Sequence, residues 1–103
     1  MEYFNIDKKD RRVINVDFDG TLTSGERKGE SIPNYEHIEL IRNLYYKGHI
    51  IIIHTARLWE FANDIVSWLI KYKVPFHGIF MMKGGSDCYL DDKNVSFEYL
   101  ELL

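Results

Sequence analysis

The stretch Val13-Ile14-Asn15-Val16-Asp17-Phe18-Asp19-Gly20-Thr21-Leu22-Thr23 decides how the rest of the chain is read. Its first half, Val13 to Phe18, is short, β-branched and apolar, the composition of a buried strand. Two carboxylates stand where that strand ends, and a glycine follows them. Outward from it, residues 20–32 carry Gly20, Gly25, Gly29, Ser24, Ser31 and several charges, which predicts a loop. Pro33 then permits a helix start, and Tyr35, Ile38, Ile41 and Tyr45 recur at helical spacing. Gly48 is placed to follow its last turn.

Ile50-Ile51-Ile52-Ile53 predicts a second strand ending at His54-Thr55. Leu58, Phe61, Ala62, Ile65, Leu69 and Tyr72 fit one face of a second helix, which Pro75 stops. Gly78 to Met82 reads as a third strand, Cys88-Tyr89-Leu90 as a fourth, and Ser96 to Leu103 as a closing helix. Residues 1–12 are mostly polar and read as a loosely held lead-in. Strands alternating with helices imply an α/β fold, a Rossmann-like three-layer sandwich on a mostly parallel four-stranded sheet.

Composition sets the outer limits. A chain of 103 residues with two prolines reads as a single domain, 1–103. Net charge −3, from 13 basic and 16 acidic residues, argues against a nucleic-acid partner held by a general basic surface. Apolar residues at 46% and aromatics at 15% exceed what a disordered chain carries. No apolar run reaches the ~18 residues of a membrane span, and no signal peptide is visible at the start, so no membrane partner is expected. The single cysteine, Cys88, excludes an internal disulfide and fits a cytoplasmic location. His37, His49, His54 and His77 lack zinc spacing.

In a parallel sheet with right-handed crossovers, every strand ends on the same edge, where ligands bind. Asp17, Asp19, Thr55, Arg57, Lys83, Asp91 and Asp92 should therefore converge. Carboxylates gathered without partners repel one another, and a divalent cation resolves that. Oxygen-only ligands suit Mg2+, which shares itself with a phosphate. Lys83 and the Thr55 hydroxyl supply contacts for the remaining phosphate oxygens. An aspartate can also act as a nucleophile and form an aspartyl-phosphate. The residues thus point to Mg2+-assisted phosphoryl transfer on a small phosphorylated substrate.

Asp17-Phe18-Asp19-Gly20-Thr21-Leu22-Thr23 after an apolar strand resembles the first motif of the haloacid dehalogenase superfamily. Ile53-His54-Thr55-Ala56-Arg57 resembles the second, Lys83 fits the third, and Asp91-Asp92 after Tyr89-Leu90 fits the fourth. The motifs come in the family's order and span residues 13–95. The resemblance implies that Asp17 attacks phosphorus, while Asp19 protonates the leaving oxygen and then activates water. It implies that Thr55 and Lys83 orient the phosphate, with Arg57 a further candidate phosphate contact. Mg2+ would be held by Asp17, the Asp19 main-chain carbonyl and Asp91, with Asp92 bonding directly or through water. Lys83 to Lys93 resembles small members linked to polysaccharide and sugar-phosphate metabolism, although Gly84 stands where those commonly have proline, which loosens the backbone there.

Substrate choice in that superfamily comes from inserted caps. Only Leu22 to Pro33 separates the first motif from the first helix, and Lys83 follows the third strand at once, so no cap domain is expected. Capless members cover the site with a neighbouring subunit or a bulky substrate, and a homo-oligomer covering the open site is expected here. Tyr45, Tyr46, Trp59 and Trp68 supply interface material.

Plainer readings stand beside these. Asp17 and Asp19 do not open a calcium loop, because the sixth and twelfth positions hold Leu22 and Lys28 instead of Gly and Glu. Thr55 has an alternative as an N-cap, Arg57 as a helix-start surface residue, Lys83 as a solvated lysine and Asp91-Asp92 as a cap. Asp87 reads as a loop residue or as a partner of Lys83 or the metal. Rival functions are a nucleotide or polynucleotide-end phosphatase and a non-catalytic module that binds Mg2+ and phosphate.

Overall fold

β1 (Val13–Asp17), β4 (Ile50–His54) and β5 (Gly78–Phe80) form a parallel sheet in the order β1-β4-β5. This is a computed structural model, and it describes residues 6–81 and 101–103. The β-branched runs of the sequence became strands because their side chains pack on a pleated, half-buried surface. Ile14 and Val16 of β1 and Ile51 and Ile53 of β4 are buried on one face. Each such side chain contributes roughly 1.5–3 kcal/mol by leaving water.

Two helices cover that face and make the crossovers that parallel pairing requires. α1 (Tyr35–Lys47) connects β1 to β4, and α2 (Ala62–Lys71) connects β4 to β5. α1 buries Ile38, Ile41 and Leu44, and α2 buries Ile65 and Leu69, so the apolar spacing read from the sequence is the packed face. Asn34 Oδ1 accepts from His37 N–H at 3.2 Å and caps the start of α1. Gly48, at φ 111°, ends it, with Gly48 N–H donating to Tyr45 O and His49 N–H to Leu44 O.

The predicted loop over 20–32 is in fact a β-hairpin, with β2 (Thr23–Arg27) paired antiparallel to β3 (Glu30–Pro33). Lys28 (φ 52°) and Gly29 (φ 79°) form its two-residue tip. Only Thr23 is buried along β2, so no apolar alternation announces the strand. Its anchor comes from elsewhere in the chain: Trp68 Nε1–H of α2 donates to Ser31 O at 2.9 Å. Pro33 accordingly closes β3, and the helix starts one residue after it has turned at Asn34.

The second helix also begins later than its apolar pattern. Trp59–Phe61 form a 3-10 turn, which leaves Leu58 and Phe61 exposed, off the buried stripe. The third strand ends at Phe80 rather than Met82. The expected fourth strand at 88–90, and residues 96–100 of the expected closing helix, lie outside the described residues. Glu101 and Leu102, placed in that helix by the sequence, form a turn. Among the described residues no domain-sized insertion interrupts the fold, and no helix is long and apolar enough to cross a membrane.

At the opposite edge of the sheet, His49 is buried and accepts from Arg12 N–H through Nδ1 at 3.1 Å. Among the described residues its Nε2 has no hydrogen-bond partner. Burial, then the charges of Lys47 and Arg12, hold its pKa below the usual histidine value. In the unfolded chain the same ring titrates near 6.5. Just below that pH the unfolded chain takes up a proton that the folded chain refuses, so stability falls as pH drops. The urea midpoint should therefore decrease from pH 7.5 to pH 5.5, and His49→Gln should flatten that dependence. An equal slope in the variant would assign the acid sensitivity to other groups.

Candidate functional site

Strand register builds the site. Asp17 pairs with His54 and His54 with Phe80, so the strand ends lie in one row across the sheet. The chain leaves β1 through a wide turn over Phe18–Leu22, in which Asp19 stays extended and Gly20 takes φ 79°. An L side chain at that φ would be strained, which explains a glycine directly after the second carboxylate. Gly20 N–H donates to Thr23 Oγ1 at 3.1 Å, and Thr23 N–H to Phe18 O, closing the turn. Thr21 O lies 2.7 Å from His37 Nδ1; a carbonyl only accepts, so His37 carries the hydrogen there.

Phe18 is 1% exposed and meets Trp68 edge-on at 4.9 Å. The strand's alternation therefore drives Phe18 into the core and turns Asp17 and Asp19 outward on either side of it.

From β4, Thr55 is buried, with its N–H donating to Phe80 O at 3.0 Å. Its Oγ1 accepts from Arg57 N–H at 3.1 Å, which leaves the hydroxyl hydrogen to donate elsewhere. That bond belongs to the strand-end turn and not to a helix start, because α2 begins only at Ala62. Arg57 crosses to the neighbouring loop. Its Nε lies 3.0 Å from Asp19 Oδ2 and its Nη2 2.7 Å from Asp19 Oδ1, a two-pronged ion pair. The hydrogen bond to Asp19 is the chief cause that raises the Arg57 pKa above its ordinary value. The guanidinium also lies over the Phe18 ring, 5.3 Å from its centre.

The sequence places Asp17, Asp19, Thr55 and Arg57 at one edge, and the structure has them there. It did not pair Asp19 with Arg57, because strand topology fixes where residues lie and says nothing of where their side chains reach. Lys83, Gly84, Asp87, Asp91 and Asp92 lie outside the described residues. Among the described residues no group of three or more His, Cys, Asp or Glu side chains could hold a metal ion.

Residues 14–100 match the family model described as haloacid dehalogenase-like hydrolase. The chain belongs to that family. The fold is similar to that of a crystal structure of a target protein from Vibrio cholerae, at a TM-score of 0.72 and 26% identity over 89% of each chain. No curated protein matches the chain. Family membership makes the protein a hydrolase. The DxDGT turn after β1 and the Thr-Ala-Arg turn after β4 are the family-like elements seen among its described residues.

Proposed function

We propose that this hydrolase is a Mg2+-dependent phosphatase that cleaves a phosphomonoester through an aspartyl-phosphate on Asp17. The observation that carries the reading is the position of Asp17 and Asp19 at the C-terminal end of β1, level with the Thr55 and Arg57 turn that ends β4. Asp17 is the nucleophile. Asp19 gives a proton to the leaving oxygen and later takes one from water. Thr55, Arg57 and Lys83 bind phosphate oxygens. This chemistry is mostly positioning and charge stabilisation.

The donor set suits Mg2+. Asp17 and Asp19 offer oxygen only, the ligand type of a hard cation. Both Asp19 carboxylate oxygens are engaged by Arg57, so its main-chain carbonyl is the better candidate donor. Asp17, that carbonyl, Asp91 and Asp92 would hold the ion, which when bound neutralises charge on the transferring phosphoryl group.

The favoured substrate class is a sugar phosphate or polysaccharide precursor, supported by the resemblance of residues 83–93. A second copy of the chain would cover the open site. What supports this is apolar exposure near the strand ends: Leu58 at 50%, Trp59 at 63% and Phe80 at 57%. Light scattering should then give a mass above 12.3 kDa, and a monomer at working concentration would remove the covering subunit.

The direct experiment is phosphate release with Mg2+ from sugar phosphates, nucleotides and 3′- or 5′-phosphorylated oligonucleotides, with EDTA as control. Selective release from a sugar phosphate that EDTA stops is the expected result. Release from nucleotides or oligonucleotide ends alone would replace the substrate class. A folded protein that binds Mg2+ and releases nothing would favour a binding module.

A further inference from the structure

Between the β2–β3 hairpin and α2 lies a cleft of about 330 Å3. Glu30 and Ser31 line it from the hairpin, and Asp64, Ser67 and Lys71 from α2. Arg57 lines it as well, and so joins the cleft to Asp19.

We infer that this cleft receives the leaving group of the phosphomonoester and that the group is neutral and polyhydroxylated, as a sugar is. The inference rests on the phosphatase reading. A proton donor must stand next to the leaving oxygen. Asp19 is that donor, and Arg57 binds its carboxylate at 2.7 and 3.0 Å. Whatever hangs from the leaving oxygen therefore starts one side chain from the cleft.

The lining selects the class. The two cations of the lining, Arg57 and Lys71, are matched in number by Glu30 and Asp64, so the cleft carries no net charge to draw a second anionic group. Charged donors, carboxylate acceptors and two serine hydroxyls suit sugar hydroxyls, which both give and accept hydrogen bonds. Trp68 and Tyr72 also line the cleft and add apolar surface for ring carbons. Stacking of a nucleobase is poorly served. Trp68 is packed against Phe18 at 4.9 Å and Tyr72 at 4.8 Å, and its N–H is engaged by Ser31 O. The volume sits at the lower end of the roughly 300–1,000 Å3 of small-molecule sites.

The test compares a panel of hexose and pentose phosphates with acetyl phosphate, whose leaving group is too small to fill the cleft. Wild type, Ser67→Phe and Lys71→Ala are assayed on both. Ser67 is exposed on α2, so the phenylalanine ring projects into the cleft without entering the core. Wild type should prefer a sugar phosphate. The ratio of kcat/KM for that sugar phosphate over acetyl phosphate should fall at least tenfold in Ser67→Phe and severalfold in Lys71→Ala, carried by KM. No preference in the wild type, or an unchanged ratio in both variants, would overturn the assignment.

If the wild type releases no phosphate from anything, the phosphatase reading fails and the cleft is tested by binding alone. Trp68 is then the sole indole of a Trp59→Phe variant, and its fluorescence is followed as the same sugar phosphates are added. A saturable change that Ser67→Phe abolishes keeps the cleft as a sugar site. No saturable change rejects it.

Discussion

Asp17→Asn should lower Mg2+-dependent phosphate release on the order of 10^4-fold or more, the scale of losing a covalent nucleophile. The carboxamide has nearly the shape of the carboxylate but is not a nucleophile towards phosphorus at neutral pH. Fold and loss of activity separate cleanly here. Asp17 is exposed, and its place in β1 is set by parallel pairing opposite His54. Circular dichroism and the urea midpoint should therefore match the wild type. Retention of full activity would remove Asp17 from the chemistry and with it the aspartyl-phosphate.

Asp19→Asn is the second large effect, a loss of about 10^2–10^4-fold in kcat, the range for a missing general acid–base group. Its signature differs from that of Asp17→Asn. With an activated ester such as p-nitrophenyl phosphate, the leaving group departs without much help from a proton. The covalent intermediate still forms, but the water that must attack it lacks a base. A stoichiometric burst of nitrophenolate followed by slow turnover is the expected trace. The variant also keeps one acceptor oxygen for Arg57 and loses the charge that the guanidinium faces. A loss under tenfold without a burst would transfer the acid–base role to another residue.

The wild-type pairing carries a requirement of its own. Arg57 makes charge-assisted bonds to both oxygens of Asp19, the group to which the proposed mechanism gives the proton transfers. In the proposed mechanism phosphate would compete for the same guanidinium. Substrate that drew Arg57 towards itself would then loosen its hold on the Asp19 carboxylate.

Much of this arrangement was legible in the sequence, and the remainder was hidden for identifiable reasons. The Ile50–Ile53 run and the spacing of Ile38, Ile41 and Leu44 act locally, through side-chain shape and periodicity, so β4 and α1 follow directly. Parallel topology then carried Asp17, Asp19, Thr55 and Arg57 to one edge. The hairpin was not legible, because Ser24 to Arg27 are all exposed and its anchor is an indole on α2, far away in the sequence. Its one local signal was Lys28-Gly29, a pair able to take the tip's positive φ angles. The start of α2 was misread because Leu58 and Phe61 have helical spacing yet sit before the helix, in and around a 3-10 turn. Spacing alone does not distinguish a buried stripe from apolar side chains left at the surface.

Phe18 stands between the two aspartates and is also a full member of the core. One residue thus sets the aim of the two candidate catalytic carboxylates while serving as a keystone of packing. A random-mutagenesis screen scored only by activity would return Phe18, Trp68 and Ile65 variants beside true active-site variants, because a core that resettles by a fraction of an ångström re-aims both carboxylates. Melting curves would separate the two classes. Attempts to evolve this enzyme towards new substrates would do best to leave that packed cluster untouched and to vary the hairpin tip.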